Sequence, residues 1–364
     1  MVNFKKPLFS INFASIMNFW KDINKPIFSL SPMEDVTDTV FREIILSVSN
    51  PELLHILFSE FTSVDAIAYN PEFNLNNRLK INNSELQLVN QTGTKLVAQI
   101  WGSDPEKFRE SARLIEKYAA FNGIDINMGC PVKKVVKNRT CSALILFPEL
   151  AREIIEATKE GTNLPVSIKT RIGFNEPITE KWIGNLLETK PAAITVHGRI
   201  QKMMSNGSAD WNEIKKAVDL RNKMKSETLI LGNGDVYDIQ SAYDKINQFR
   251  VDGIMVGRGI FMDPFLFNDK NFPRTRVNKF NLMINHINLF RSTWGDIKNP
   301  AILKKFFKVY INNFPGASAL RQQLMETNTY KEMDDLINSI EFNQTISSIL
   351  AARIKSFSDS PSIA

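Results

Sequence analysis

Eight short runs rich in β-favouring, apolar residues recur along the first 260 residues of this chain, and the gaps between them suit helices. The runs cover residues 26–33, 53–61, 95–102, 123–129, 165–173, 192–199, 228–235 and 253–260. Most are separated by amphipathic segments, at 105–120, 148–160, 178–188, 211–224 and 236–249. Several of these open on a turn or cap signal, such as Ser103-Asp104-Pro105, Phe147-Pro148 and Ala209-Asp210-Trp211. Near-continuous apolar strands alternating with helices imply a parallel sheet covered on both faces. Eight such units in about 240 residues predict an α/β fold, a (β/α)8 TIM barrel. An open doubly wound sheet is the alternative, but no Gly-x-Gly-x-x-Gly follows the first run. The beat weakens over 70–91, a polar, Asn-rich stretch that reads as a long surface loop.

After Pro273 the strand signal stops. The pattern from 277 onward is helical, with breaks at Trp294-Gly295, Asn299-Pro300 and Phe314-Pro315-Gly316. This predicts two domains, a barrel over 1–272 and a small helical bundle over 273–364, with a frayed tail at 357–364. Charge follows the same boundary. Of the formal net charge of +6, residues 271–364 carry 12 basic and 7 acidic side chains, hence +5. Within 271–322 there are nine basic residues and one acid, Asp296. Such a block reads as a polyanion-binding face, against the bland alternative of a solvated helix surface. Phe306, Phe307 and Tyr310 are interleaved with it, and aromatics at that helical spacing are core positions more often than stacking platforms.

Composition narrows the class. Two cysteines, Cys130 and Cys141, argue against a disulfide scaffold and fit a reducing cytosol, so a cytoplasmic protein is expected. Three histidines and two cysteines at no ligand spacing predict no metal site. The longest apolar runs are strand-length, so no membrane span is expected. Residues 1–24 lack an apolar signal-peptide core and read as a leader into the first strand.

The unusual polar residues gather at the carboxyl ends of the predicted strands, where barrel enzymes build their sites. Run one ends in Ser31-Pro-Met-Glu34, run three carries Gln99, and run four carries Asn127 and ends in Gly129-Cys130-Pro131. A thiol at a strand tip before a forced turn reads as a displayed reactive group or as a buried structural cysteine. Lys169 and Arg171 lie on run five, His197 and Arg199 on run six. Runs seven and eight end in Gly232-Asn-Gly-Asp235 and Gly257-Arg258-Gly259. Loops at those two positions commonly bind a phosphate through exposed backbone N–H groups, and Arg258 can add a bidentate contact. A lysine and a histidine opposite an amide side chain suit an isoalloxazine ring, whose reduced form carries negative charge that Lys169 would stabilise. Lys169 as half of an ordinary ion pair, and His197 as a satisfied core histidine, remain the alternatives.

These residues carry a resemblance. The chain is similar to the tRNA-dihydrouridine synthases through Ser31-Pro-Met-Glu-Asp-Val-Thr-Asp38 with Phe41-Arg42, Gln99 with Gly102-Ser-Asp-Pro105, and Asp125-Ile-Asn-Met-Gly-Cys-Pro-Val-Lys-Lys-Val135. The likeness continues through Lys169-Thr-Arg-Ile-Gly173, Thr195-Val-His-Gly-Arg199, Gly232-Asn-Gly-Asp235 and Asp252-Gly-Ile-Met-Val-Gly-Arg258. Leu303-Lys-Lys305, Tyr310, Pro315-Gly-Ala317 and Leu320-Arg321 resemble the family's helical domain. It covers about residues 25–325 and is most similar to the bacterial B-type branch.

The resemblance implies FMN held by Pro32, Met33, Glu34, Gln99, Lys169, Asn233, Gly234, Asp235, Gly257 and Arg258, with His197 beside them. It also implies Cys130 as the catalytic acid, NADPH as electron donor, and tRNA as substrate; a monomer is expected. Candidate tRNA contacts are Asn127, Arg171 and Arg199 at the barrel mouth and Lys304, Lys305, Lys308 and Arg321 in the helical domain. The chain departs from the family pattern at Cys141, where a glycine is usual before Ser142-Ala-Leu-Ile145, and at Phe306, where a lysine–histidine pair is common.

Uracil itself dictates the chemistry. Its C5–C6 double bond is conjugated to the C4 carbonyl, so hydride adds at C6 and a proton is needed at C5. An ordinary cysteine, with a pKa of about 8.5, is mostly protonated at neutral pH and can supply it. A donor that must stay protonated until hydride arrives predicts no strong thiolate-stabilising partner. Two rivals remain: a dihydroorotate-type FMN barrel acting on a free pyrimidine, and a non-catalytic RNA-binding barrel.

Overall fold

The computed structural model describes residues 18–339. The chain divides into two compact units at Phe272–Pro273. In the first, eight parallel strands close on themselves: β1 (Ile27–Leu30), β2 (Ile56–Phe58), β3 (Lys95–Trp101), β4 (Gly123–Met128), β5 (Val166–Arg171), β6 (Ala193–His197), β7 (Leu229–Asn233) and β8 (Gly253–Val256). Each strand pairs with the next, and β8 pairs back onto β1. A two-residue strand, Thr62–Ser63, extends the sheet beside the end of β3. The strands are buried along nearly their whole length because the barrel wall is covered by helices outside and filled by side chains inside.

Helices fill the intervals: α1 (Thr39–Ser47), α2 (Asn83–Thr92), α3 (Pro105–Tyr118), α4 (Pro148–Glu160), α5 (Thr179–Glu188), α6 (Trp211–Lys223) and α7 (Ile239–Phe249). The cap signals in the sequence work as chemistry predicts. Asp104 accepts the N–H of Glu106 at 3.0 Å ahead of Pro105, and Asp210 accepts the N–H of Asn212 at 2.9 Å.

The reading of 70–91 as a loop is corrected. Pro71–Asn77 and α2 are helical there. Asn70 uses its side-chain oxygen to accept the N–H of Phe73 at 3.1 Å, and Pro71 supplies the first helical φ, so residues weighed as turn formers act as caps. Helix α2 is tied down by Glu85, fully buried, which accepts Nε of Arg42 at 2.6 Å, Nη2 of Arg42 at 2.9 Å and the Thr39 hydroxyl at 2.5 Å. The other Arg42 donor contacts reach the carbonyls of Thr37 and Lys80. Saturated hydrogen bonding is what makes such a buried pair tenable.

Strand register sorts the interior. Gln99 lies opposite Asp125, Asn127 opposite Lys169, Arg171 opposite His197, and His197 opposite Asn233. Because side chains alternate along each strand, these residues share one face, the inside. Below them the filling is apolar: Ile27, Ile56, Val97, Ala193, Leu229 and Leu231 pack with Phe19 and Trp20 from a turn ahead of β1. The barrel is therefore hydrophobic at its amino-terminal end and polar at its carboxyl-terminal end.

The second unit is helical among the described residues: α8 (Arg276–Trp294), a 3-10 turn (Pro300–Phe306), a short helix (Phe307–Tyr310), α9 (Ala317–Glu326), and residues 330–339. Phe306, Phe307 and Tyr310 are buried with Phe280, Met283, Phe290 and Trp294, so these aromatics are core. His286 joins them, its Nδ1 2.8 Å from the Tyr310 hydroxyl. The expected frayed tail, 357–364, and residues 1–17 of the leader lie outside the described residues. Among the described residues no helix is long and apolar enough to cross a membrane, and no cluster of three metal-ligating side chains occurs.

Candidate active site

The carboxyl end of β4 carries the thiol. Asn127, two residues before the strand stops being paired, turns its side-chain oxygen onto the N–H groups of Gly129 (3.0 Å) and Cys130 (2.9 Å). Arg171 Nε donates to the Gly129 carbonyl at 2.7 Å, the Ser142 hydroxyl to the Cys130 carbonyl at 2.7 Å, and the Gln201 amide to the Pro131 carbonyl at 3.0 Å. Three consecutive peptides are thus pinned by side chains from β4, β5 and two loops. The thiol itself is partly exposed.

Beside it stands a polar ladder. Asn127 Nδ2 donates to Gln99 Oε1 at 3.0 Å, and Gln99 Nε2 donates to Asp125 at 2.7 Å. Asp125 also takes the Ser167 hydroxyl at 2.6 Å. Burial pushes the Asp125 carboxyl up to about 6, against the pull of Gln99, Ser167 and Lys169. Gln99 keeps one amide hydrogen and one lone pair beyond those bonds.

Lys169 is half-buried with its ammonium 3.3 Å from Asn233 Oδ1. Burial, together with the Arg171 charge, brings it down to about 8. His197 is held neutral: burial first, then the charges of Lys169, Arg171, Arg199 and Arg258, drive it well below the ordinary imidazole value. Its Nδ1 is buried without a hydrogen-bond partner.

After β7 and β8 the backbone opens. Gly234 has φ +122°, and a Cβ there would meet the Ala209 methyl at 2.7 Å, so only glycine fits. Gly257 leads into a 3-10 turn, Arg258–Phe261, and a Cβ on it would touch only Ser31, at 3.8 Å. These glycines, with His197, Asn233, Asp235 and Arg258, line a cavity of about 160 Å³. Asp235 takes Arg199 Nη2 on both oxygens at 2.7 Å and the Ala209 N–H at 2.7 Å. Against the cost of burial, Arg199 and Ala209 hold its carboxyl below the usual range. A larger cavity, about 740 Å³, lies at the amino-terminal ends of β5, β6 and β7, but none of the groups above lines it. The rim residues fit a phosphate-bearing, electron-rich ring: an orphaned imidazole nitrogen, a half-buried ammonium without a bonded carboxylate, and a glycine cradle with an exposed arginine.

Several expectations change. The absence of a thiolate-stabilising partner for Cys130 is corrected. The neighbouring Cys141 thiol, set against burial and helped by the Val132 N–H and the charges of Arg171 and Lys169, brings Cys130 down to about 7. Arg171 and Arg199, expected to touch substrate, are largely buried and brace loops. Arg171 also binds the carbonyls of Ile200 and Met204, and Arg199 those of Asn206 and Gly207. Glu34 is exposed and ion-paired with Arg78, whereas Pro32 is buried and Met33 half-buried against the rim, its N–H on Thr37. In the second unit Lys305 and Lys308 are exposed, Lys304 donates to Asn328, and Arg321 to the Ile311 carbonyl. Sequence reasoning passed over Asp125, Ser142 and Gln201. The first was legible, since it sits two residues before Asn127 on the same strand face.

Comparison with known proteins agrees with this geometry. The family model described as dihydrouridine synthase matches residues 29–347. A probable tRNA-dihydrouridine synthase of Staphylococcus aureus (strain COL) is 38% identical over 328 residues, 89% of this chain and 96% of that protein. One of Staphylococcus epidermidis (strain ATCC 35984) is 38% identical over 329 residues, with the same coverage. Probable tRNA-dihydrouridine synthase 2 of Bacillus subtilis (strain 168) is 36% identical over 328 residues, 89% of this chain and 97% of its own. The cysteine-tipped barrel described above is thus that of an enzyme, and the chain belongs to the dihydrouridine synthase family.

Proposed function

We propose that this enzyme reduces the C5–C6 double bond of specific uridines in tRNA to 5,6-dihydrouridine, with FMN seated at the carboxyl-terminal rim and Cys130 as proton donor. The observation that carries the reading is the shared rim. The Cys130 loop and the Gly234 and Gly257 turns all follow carboxyl ends of parallel strands in one closed barrel. Asn233, Gly234, Gly257 and Arg258 would hold the phosphate, while Gln99, Lys169 and His197 would face the ring. When bound and reduced by NADPH, FMN supplies the hydride that adds at uracil C6.

The remaining work belongs to the chain. Hydride at C6 leaves enolate-like charge conjugated to C4, and the Cys130 S–H bond breaks as the C5–H bond forms. The thiolate left behind recovers a proton from solvent. A donor at about 7 is close to the optimum for general acid catalysis near neutral pH. Asn127, Arg171 and Ser142 fix the Cys130 backbone so that the sulfur is aimed before substrate arrives. Lys169 would supply positive charge to the ring and favour its reduced form.

The target base must leave its stack, at a cost of a few kcal/mol, so a surface that grips tRNA is needed. The excess of positive charge in the second unit, with Lys305 and Lys308 exposed, supports a tRNA-binding role for residues 273–364. The test maps dihydrouridine by mass spectrometry in tRNA treated with wild type and Cys130→Ala. The variant retains flavin and NADPH oxidation but forms little or no dihydrouridine. Wild-type modification by the variant overturns the assignment of the donor.

A further inference from the structure

No acidic residue lies between Asp125 and Glu149, while four cations follow the thiol in that interval: Lys133, Lys134, Lys137 and Arg139. All four are exposed, and none makes an ion pair with a carboxylate among the described residues. The outer helices of the barrel behave differently. Lys107 and Arg113 on α3, Arg152 on α4 and Lys215 on α6 each meet a carboxylate. The first 270 residues are nearly neutral, with 33 basic side chains against 32 acidic, so a patch without acids stands out.

The patch is built into the thiol loop. The Val132 carbonyl accepts the N–H groups of Val135 and Val136 at 3.0 Å, and the Lys133 carbonyl that of Lys137 at 3.1 Å. The Thr140 hydroxyl donates to the Val135 carbonyl at 2.8 Å. That single turn sets Lys133 and Lys137 on one side, about 5–6 Å apart. The Arg139 guanidinium lies 5.1 Å from the centroid of the Phe147 ring. The loop after β6 joins it, because Gln201 donates to the Pro131 carbonyl at 3.0 Å. The next residue, Lys202, is exposed and likewise without a carboxylate partner among the described residues.

We propose that Lys133, Lys134, Lys137, Arg139 and Lys202 form a phosphate-contacting face of the barrel that holds the tRNA backbone flanking the extruded uridine. This rests on the reading of uridine in tRNA as the substrate. A uracil brought to Cys130 carries its own sugar and flanking phosphates to the barrel mouth. Lys133 stands three residues beyond the thiol, so the two Cα atoms are within about 11 Å. Cations with no carboxylate partner gain the full counterion-release free energy when phosphates arrive, whereas paired ones first give up an acid. A merely solvated surface carries both signs interspersed, as on α3, and the acids are missing here.

The test uses flavin-loaded enzyme and unmodified tRNA. Lys134→Gln, Lys137→Gln and Lys202→Gln are combined in one variant. A control removes the same charge at the opposite end of the barrel through Lys190→Gln, Lys223→Gln and Lys225→Gln, all exposed. Kd for tRNA is measured from about 50 to about 300 mM salt. The rim variant is expected to bind roughly tenfold more weakly or worse at about 150 mM, with a salt slope shallower by about two to three counterions. Dihydrouridine formation at sub-saturating tRNA falls by the same factor. The control should change Kd by about twofold at most and keep the wild-type slope. Equal affinities and slopes for rim variant and control overturn the proposal. So does a raised KM for NADPH with tRNA affinity unaltered, which gives the patch to the dinucleotide. Wild type that forms no dihydrouridine in tRNA sinks the underlying reaction, and this proposal with it, whereas active wild type with an unaffected rim variant sinks the proposal alone.

Discussion

Asn127 and Cys130 are joined by a hydrogen bond of 2.9 Å from the cysteine N–H to the amide oxygen, while the same amide donates to Gln99 at 3.0 Å. One side chain thus couples the thiol loop to the polar ladder inside the barrel. Asn127→Ala removes both contacts and leaves the backbone of Gly129 and Cys130 held only from the other side. Dihydrouridine formation should fall by roughly 10²-fold with flavin content retained, the order of loss seen when a reacting group is misplaced by about 1 Å. Absorbance at the flavin band and nucleoside mass spectrometry give the two readouts, and an unchanged rate would refute the coupling.

The acidity of Cys130 sets a pH dependence. A group needed as a thiol is fully active below its pKa and lost as pH rises through it. With the value at about 7, single-turnover formation by pre-reduced enzyme should decline tenfold per pH unit above about 8 and level off toward pH 6. A flat profile between pH 6 and 9 would exclude a rate-determining proton from this sulfur.

Lys169 is expected to act on the electron-rich ring and to cost the empty barrel some stability, because its ammonium is half-buried with Asn233 as its hydrogen-bonding partner. Lys169→Met should leave the Tm of flavin-free protein equal or higher, while the bound flavin becomes harder to reduce. Redox titration of the loaded variant checks this, and a midpoint potential equal to that of wild type would remove the lysine from its assigned role.

Gly234→Ala forces a side chain into φ +122° and against the Ala209 methyl. Strain of about 1–3 kcal/mol is expected, lowering Tm and releasing flavin together. Thermal melting with and without added FMN separates the two effects. A variant that binds FMN with wild-type affinity would show that this turn does not cradle the cofactor.

In the second unit, Lys305→Glu with Lys308→Glu reverses two exposed charges without touching its core. tRNA affinity should drop and its dependence on salt should become shallower by about two counterions. NADPH oxidation should be unchanged. Equal tRNA affinity at 50 and 200 mM salt would exclude this face from the contact.

Much of this was written in the order of residues. Alternating apolar runs and amphipathic helices specify a covered parallel sheet, and the count of eight closes it. Polar groups at strand ends were legible because parallel strands bring all their carboxyl ends to one side. What the sequence did not reveal depends on contacts between distant segments. Glu85 meets Arg42 across 43 positions, in a stretch whose asparagines look like a loop until Asn70 is seen capping a helix. Ser142 meets the Cys130 carbonyl across 12 positions, a contact no local pattern announces. Arg171 and Arg199 looked like substrate contacts by type, and only the fold reveals that both brace loop carbonyls, Arg199 holding the Asp235 carboxylate as well.

Phe19 and Trp20 seal the hydrophobic floor of the barrel. With that end filled, the carboxyl-terminal rim is the way in for the proposed reaction, and a shared entrance would make nicotinamide donor and tRNA visit in turn. Steady-state rates measured against both should give parallel lines in a double-reciprocal plot.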